Sequence, residues 1–316
     1  MNITLALFMK YNILLAFIFI PIFLFSFDKK PENYEFALYD TLSLSMDIYQ
    51  PESKTENTAC VVYVFGGGFF AGSKSHDNNV KFCKSMADSG FVVAAIDYRL
   101  GMKGIKKRGL AALNPMVKSI QMATEDLFAA TAFLYRNANK IGFDKTKIIL
   151  IGSSAGAITS LQVDYELSNM HQRSKVLPED FRYAAVIAFA GGIYSTEGKP
   201  DYKRQPAPTM FFHGTDDKIV KYDFMQAIRR GFFGTNALTK RFKKLGFQYS
   251  TWRFENIGHE ISYLPMIYNQ KEITRFIHDV VYEDSKYNVD VTISNHELPK
   301  TEFGSWSVRE LYKRKL

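Results

Sequence analysis

The sequence predicts an α/β fold: one domain built on a mostly parallel, doubly wound sheet flanked by helices. Three observations lead there. Short apolar runs recur at 60–65, 91–98, 147–151, 183–190 and 209–212, and continuous runs of that length read as strands buried on both faces. Amphipathic stretches separate them, the clearest from Met116 to Ala138, and strands alternating with helices imply right-handed crossovers between parallel neighbours. Finally, 47% hydrophobic and 15% aromatic residues in a 316-residue chain supply apolar surface for a large core. No repeat of roughly 20 to 50 residues and no sustained heptad appears, which excludes solenoids, propellers and coiled coils.

The elements follow in order. Ile13 to Phe27 runs without a charge and ends abruptly at Asp28, Lys29 and Lys30. This is a targeting segment, assigned to residues 1–26. It is shorter than the roughly 20 residues a spanning helix needs, and Pro21 interrupts it, so a cleaved signal peptide is expected, with a membrane anchor as the alternative. Secretion or a periplasmic location follows from that expectation. Met9-Lys10 resembles the basic start of such a signal, which makes Met9 an alternative true start. Cleavage after Ser26 would leave a small residue at the cut, although Leu24 matches the small-x-small preference poorly. The domain proper is assigned to 27–283. Leu42 to Tyr49 alternates apolar and polar residues, as a half-exposed strand does, and Pro51 ends it, so an antiparallel entry into the sheet is expected. Gln248 to Glu255 reads as the last strand and Lys271 to Tyr282 as the helix after it. Residues 284–316 form a polar extension for which the pattern gives no place in the core.

The formal net charge is +8, but the lysines are scattered and lack the aromatic interleaving of a nucleic-acid surface. No nucleic-acid partner is expected. Cys60 and Cys83 are the two cysteines; without a CxxC or Cys/His cluster they argue against a zinc-type metal site and read as buried thiols.

The chemistry concentrates in Gly152-Ser153-Ser154-Ala155-Gly156, where an apolar strand runs into Gly-x-Ser-x-Gly and then into the helical stretch 155–167. A strand-to-helix turn this sharp exposes its central serine and leaves no room for side chains two residues to either side. Ser154 is therefore the candidate nucleophile, and Ser153 lies off the apex. Upstream, Val61-Val-Tyr-Val-Phe-Gly-Gly-Gly-Phe-Phe70 is a strand that breaks into three glycines, whose N–H groups can approach a ligand without interference from a Cβ. A serine hydroxyl needs an imidazole to take its proton and a carboxylate to orient that ring. Among the downstream histidines, His259 follows a strand, with Gly258 supplying a turn, and is the candidate base. His278 sits in a helical stretch and His296 in the polar tail, where no catalytic part is expected of it. Glu260 is expected to be exposed or to start a helix.

Taken together, the glycine triplet, the Gly-x-Ser-x-Gly turn, Thr209-Met-Phe-Phe-His-Gly-Thr-Asp-Asp-Lys-Ile-Val220 and Gly258-His-Glu260 resemble the hormone-sensitive-lipase and bacterial carboxylesterase branch of the α/β-hydrolases, over roughly Leu42 to Tyr282. The resemblance implies oxyanion donors at the amides of Gly67, Gly68 and Ala155, and Asp217 as the acid, with Asp216 the runner-up and His213 a bracing residue. It departs at Phe65, where that branch commonly has histidine. Asp97 and Arg99, in a stretch similar to the branch's Asp-Tyr-Arg-Leu, are expected to tie loops together. The implied activity is hydrolysis of carboxylic esters, on small molecules or acetylated glycans, through an acyl-enzyme on Ser154 and without a cofactor. A membrane partner is expected only if the leader stays uncleaved. The alternatives are a serine peptidase of prolyl-oligopeptidase type, which a glycine triplet fits less well, and a silent binding protein, which typically loses a triad member. Gly101 to Pro115 and Asn169 to Phe181 are candidate lid or pocket segments.

Overall fold

The computed structural model describes residues 30–314 except Arg108 and Asn295. The expected leader lies outside the described residues. The described chain opens with the antiparallel pair β1 (Glu32–Tyr39) and β2 (Leu42–Tyr49), followed by β3 (Cys60–Val64), α1 (Asp77–Asp88), β4 (Val92–Ile96), α2 (Leu113–Ile141) and β5 (Ile148–Ser153). Then come α3 (Ala155–Ser168), β6 (Ala185–Phe189), β7 (Gly192–Ser195), β8 (Thr209–Gly214), β9 (Phe224–Ala227), β10 (Arg230–Gly234), α4 (Thr235–Leu245) and β11 (Tyr249–Phe254). The chain finishes with α5 (Pro265–Tyr268), α6 (Gln270–Ile277), β12 (Asn288–Ile293) and α7 (Val308–Arg314).

Nine strands form one sheet in the order β1-β2-β4-β3-β5-β6-β8-β11-β12. β2 pairs antiparallel with β1 and β4, and every later neighbour is parallel. Every residue of β3, β4, β5 and β6 is buried, which is why these strands read as unbroken apolar runs. β2 buries Leu44, Met46 and Ile48 and leaves Ser45 and Asp47 between them partly open, the alternation its sequence carries. Strand order reverses at β3, since the chain steps from β3 to β4 on one side and crosses back to β5 on the other. A parallel sheet opens a crevice at the carboxyl ends of its strands at such a point. Val64 pairs with Gly152 there, so the glycine triplet and the serine turn leave the sheet side by side.

Two features go beyond the sequence pattern. A small antiparallel sheet, β7-β10-β9, stands apart from the main one. The polar extension also contributes: β12 adds parallel to β11, from Tyr249–Asn288 to Phe254–Ile293, and Leu311 of α7 joins the core. The helix expected over 271–282 is α6, continued as one wider turn over His278–Tyr282. Cys60 and Cys83 are both buried free thiols. Among the described residues no helix is long and apolar enough to cross a membrane.

Candidate active site

The turn at Ser154 is built from steric exclusion. A Cβ on Gly152 would lie 2.3 Å from the Gly156 carbonyl oxygen, and one on Gly156 would lie 2.0 Å from that of Val64. Both contacts are with backbone, so nothing larger than glycine fits without moving a strand or a helix. Ser154 itself is held at φ 50°, ψ −113°, a left-handed value that is unfavourable for a residue with a side chain. Its N–H donates to the Phe189 carbonyl at 2.8 Å, and its carbonyl accepts from Ile158 of α3 at 2.9 Å. The neighbouring Ser153 is occupied otherwise, donating to the Ser262 carbonyl at 2.7 Å.

Ser154 Oγ lies 2.8 Å from Nε2 of His259. On the other side of the ring, His259 Nδ1 lies 2.7 Å from Asp217 Oδ2. Asp217 Oδ1 accepts from the N–H groups of Ile219 and Val220, each at 2.9 Å. The carboxylate is thus fixed at both oxygens and buried. Burial alone would raise its carboxyl, but His259 and His213 beside it prevail and hold it well below the ordinary carboxylate range. Asp216 is exposed, with Thr215 Oγ1 donating to it at 3.2 Å. His213 braces the acid loop: Nε2 donates to the Val220 carbonyl at 3.0 Å, and Nδ1 meets Thr235 Oγ1 at 2.8 Å. His278 is exposed on the surface. His296 donates to the Glu255 carbonyl at 2.8 Å and joins the serine in no contact.

The glycine triplet passes directly over the serine turn, since a Cβ on Gly66 would lie 3.3 Å from that of Ser154. Gly67 and Gly68 take φ values of 142° and 61°, which side chains rarely adopt. The Gly67 carbonyl accepts from the N–H groups of Phe70 and Ala71, each at 3.1 Å, which fixes the peptide carrying the Gly68 N–H. Ala155 is the first residue of α3, where helix N–H groups have no partner within the helix. At the divergent position, Phe65 stacks on Tyr98 with ring centroids 4.5 Å apart, and Tyr98 donates its hydroxyl to the Phe65 carbonyl at 3.0 Å. An aromatic pair and one hydrogen bond therefore brace the loop. Asp97 pairs with Lys74 at 2.5 Å, joining two loops, and Arg99 pairs with the buried Asp126 at 2.8 Å, tying its loop to helix α2.

Contacts from three residues were not legible in the sequence, and all three residues lie in the extension. The Phe303 ring packs against His259 with centroids 5.5 Å apart. Tyr312 donates its hydroxyl to the Gly68 carbonyl at 2.9 Å and packs its ring on Phe70 at 4.7 Å. Gly304 covers Glu260, a residue that is 2% exposed. Glu260 lies in the first turn of a short 3₁₀ helix over His259–Ser262, the second of the two expected placements, but it is buried and not exposed, because a segment distant in sequence closes over it. One of its carboxylate oxygens has no hydrogen-bond partner.

Of the two candidate pocket segments, 101–115 touches the glycine loop through the Met102 N–H, which donates to the Phe69 carbonyl at 2.9 Å. Gly101, Ile105, Asn114, Pro115, Lys118 and Met122 line a cleft of about 390 Å³ there.

A mostly parallel sheet with a serine at its strand-to-helix turn, and histidine and aspartate in hydrogen-bonded line behind it, is the arrangement of the α/β-hydrolase fold. Within that class the resemblance is to carboxylesterase-like proteins. The model of the family BD-FAE matches residues 46–196, a stretch that holds the glycine loop and Ser154. Gut esterase 1 of Caenorhabditis elegans is 31% identical over 120 residues, which are 38% of this chain and 20% of that protein. Cholinesterase 1 of Branchiostoma lanceolatum is 27% identical over 144 residues, 43% of this chain and 38% of that one. The matches thus span well under half the length of these relatives. Among solved structures, the apo form of Thermogutta terrifontis esterase 2 superposes with a TM-score of 0.58 at 20% identity, covering 83% of this chain and 97% of that one. This last likeness concerns the fold.

Proposed function

We propose that the protein is a serine carboxylesterase. The observation that carries this reading is the unbroken line from Ser154 Oγ through His259 to Asp217, at 2.8 Å and 2.7 Å. In this reading His259 removes the serine proton as Oγ attacks the ester carbonyl. Asp217 holds the ring in the tautomer that presents a bare Nε2 to Ser154 and stabilises the imidazolium that forms. The amides of Gly67, Gly68 and Ala155 receive the oxyanion, each such donor contributing about 3 kcal/mol to transition-state binding. His259 then protonates the leaving alcohol, and water activated by the same imidazole releases the acid. None of these steps uses a cofactor. The esterase names of the sequence relatives support the ester as substrate class.

The finer reading is that the leader exports the enzyme to a secreted or periplasmic location, where it removes acyl groups, acetyl among them, from small molecules or glycans. What supports it is the apolar run before Asp28 and the class of the fold.

The test uses purified residues 28–316 with p-nitrophenyl acetate and butyrate, beside a Ser154→Ala control. Turnover that falls by at least about a thousandfold in the control is expected. Turnover indifferent to the substitution, or none in the parent protein, would refute the esterase reading. Acetylated oligosaccharides and cell fractionation then address substrate and location.

A further inference from the structure

Three consecutive glycines are poorly suited to hold a fixed pair of hydrogen-bond donors. Each has wide conformational freedom, and an oxyanion site works only if its donors are aimed before charge develops. The loop must be held from outside. On one side this is done locally, by the N–H groups of Phe70 and Ala71 on the Gly67 carbonyl. The next peptide, joining Gly68 to Phe69, has its carbonyl held by Tyr312 at 2.9 Å. That peptide is under strain, since Phe69 takes φ 62°, a value costly for a bulky residue. The Tyr312 bond is the contact on this peptide's carbonyl, between the Gly67 carbonyl held by Phe70 and Ala71 and the Phe69 carbonyl held by Met102.

We propose that Tyr312 is a positioning residue of the active site, keeping the Gly68 amide aimed by clamping the carbonyl of the peptide that follows it from a segment distant in sequence. The proposal rests on the esterase reading for its chemistry. Further contacts seat the tyrosine. Its ring packs on Phe70, Leu311 beside it is buried against the core, and the same extension lays Phe303 on His259. The extension thus touches the base and the oxyanion loop together. Burial pushes the Tyr312 phenol up, so the hydroxyl keeps the proton it donates.

The experiment is Tyr312→Phe in residues 28–316, which removes one oxygen and keeps the ring on Phe70. Three quantities are read: kcat and KM with p-nitrophenyl acetate, the rate at which a fluorophosphonate labels Ser154, and the thermal midpoint. The expected result is kcat about tenfold lower with KM within about twofold, and labelling slowed by a similar factor, because phosphonylation also places a charged oxygen against the loop amides. A lower thermal midpoint with unchanged kcat and labelling overturns the proposal, since the tyrosine would then only hold the tail down. A parent protein that labels at Ser154 but turns over no ester would refute the esterase reading alone. The labelling rates of the two proteins would still decide the part played by Tyr312.

Discussion

Both oxygens of Asp217 accept hydrogen bonds, one from two backbone N–H groups and the other from His259, so an amide cannot replace the carboxylate without turning its NH₂ toward a donor. Asp217→Asn is expected to lower kcat by about 10³ to 10⁴ while the far-ultraviolet circular dichroism stays that of the parent. Asp216→Asn is expected to stay within about twofold on the same ester, because that side chain is exposed and points elsewhere. The adjacent pair could be separated in the sequence by resemblance to a motif and is separated in the structure by what each oxygen touches. Ser154 and His259 were legible because the evidence for them is local: glycines whose absent Cβ makes room, and strands that end next to them. That Glu260 starts a short helix was legible in the same local way, whereas its burial was not. Its environment is made by Gly304, and nothing near Glu260 in the sequence announces that a later segment folds over it.

Helix α3 is buried along its whole length, which places a carboxylate, Asp164, in the interior. The Ala207 N–H donates to it at 3.1 Å, but desolvation dominates and raises its carboxyl to about 7 from the ordinary 3.8. Between those values the folded chain keeps a proton that the unfolded chain has released. The group's contribution to stability is therefore complete below about pH 4 and is lost as pH rises toward 7, on the order of 4 kcal/mol in all. Asp164→Asn removes this dependence. The variant should gain thermal midpoint over the parent as pH rises from 5 to 8, by roughly 10 °C at the upper end, and scanning calorimetry at the two pH values checks it. Helices and strands differed in how plainly they could be read. β3 to β6 announced themselves because both faces are buried. β7, β9 and β10 did not, because they are short and β9 is exposed throughout, so no apolar pattern marks them.

For the molecule as a whole, residues that read as an appendage close the sheet. Without β12, the residues of β11 from Tyr249 to Phe254 would become an open edge that invites pairing with other chains. A chain ending at Glu283 loses that strand's hydrogen bonds, each contributing about 1 kcal/mol net. It is expected to melt at least about 10 °C lower and to aggregate on size-exclusion chromatography. The sheet was predictable from the recurrence of apolar runs. Its last strand was not, because an edge strand alternates exposed and half-buried residues, as Asn288 to Ile293 do, and polar alternation resembles a tail.

The position of Tyr312 also orders events in time. A ribosome delivers the glycine loop, the serine turn, the aspartate and the histidine in that sequence, and residue 312 after all of them. Until then the Gly68 carbonyl has no tyrosine to accept from and β11 has no neighbour on its outer side. With the Gly68 carbonyl accepting from Tyr312, the glycine loop gains this contact only after a segment more than fifty residues past the histidine has folded back over it, so in the proposed reading the donor loop is the last part of the site to be set.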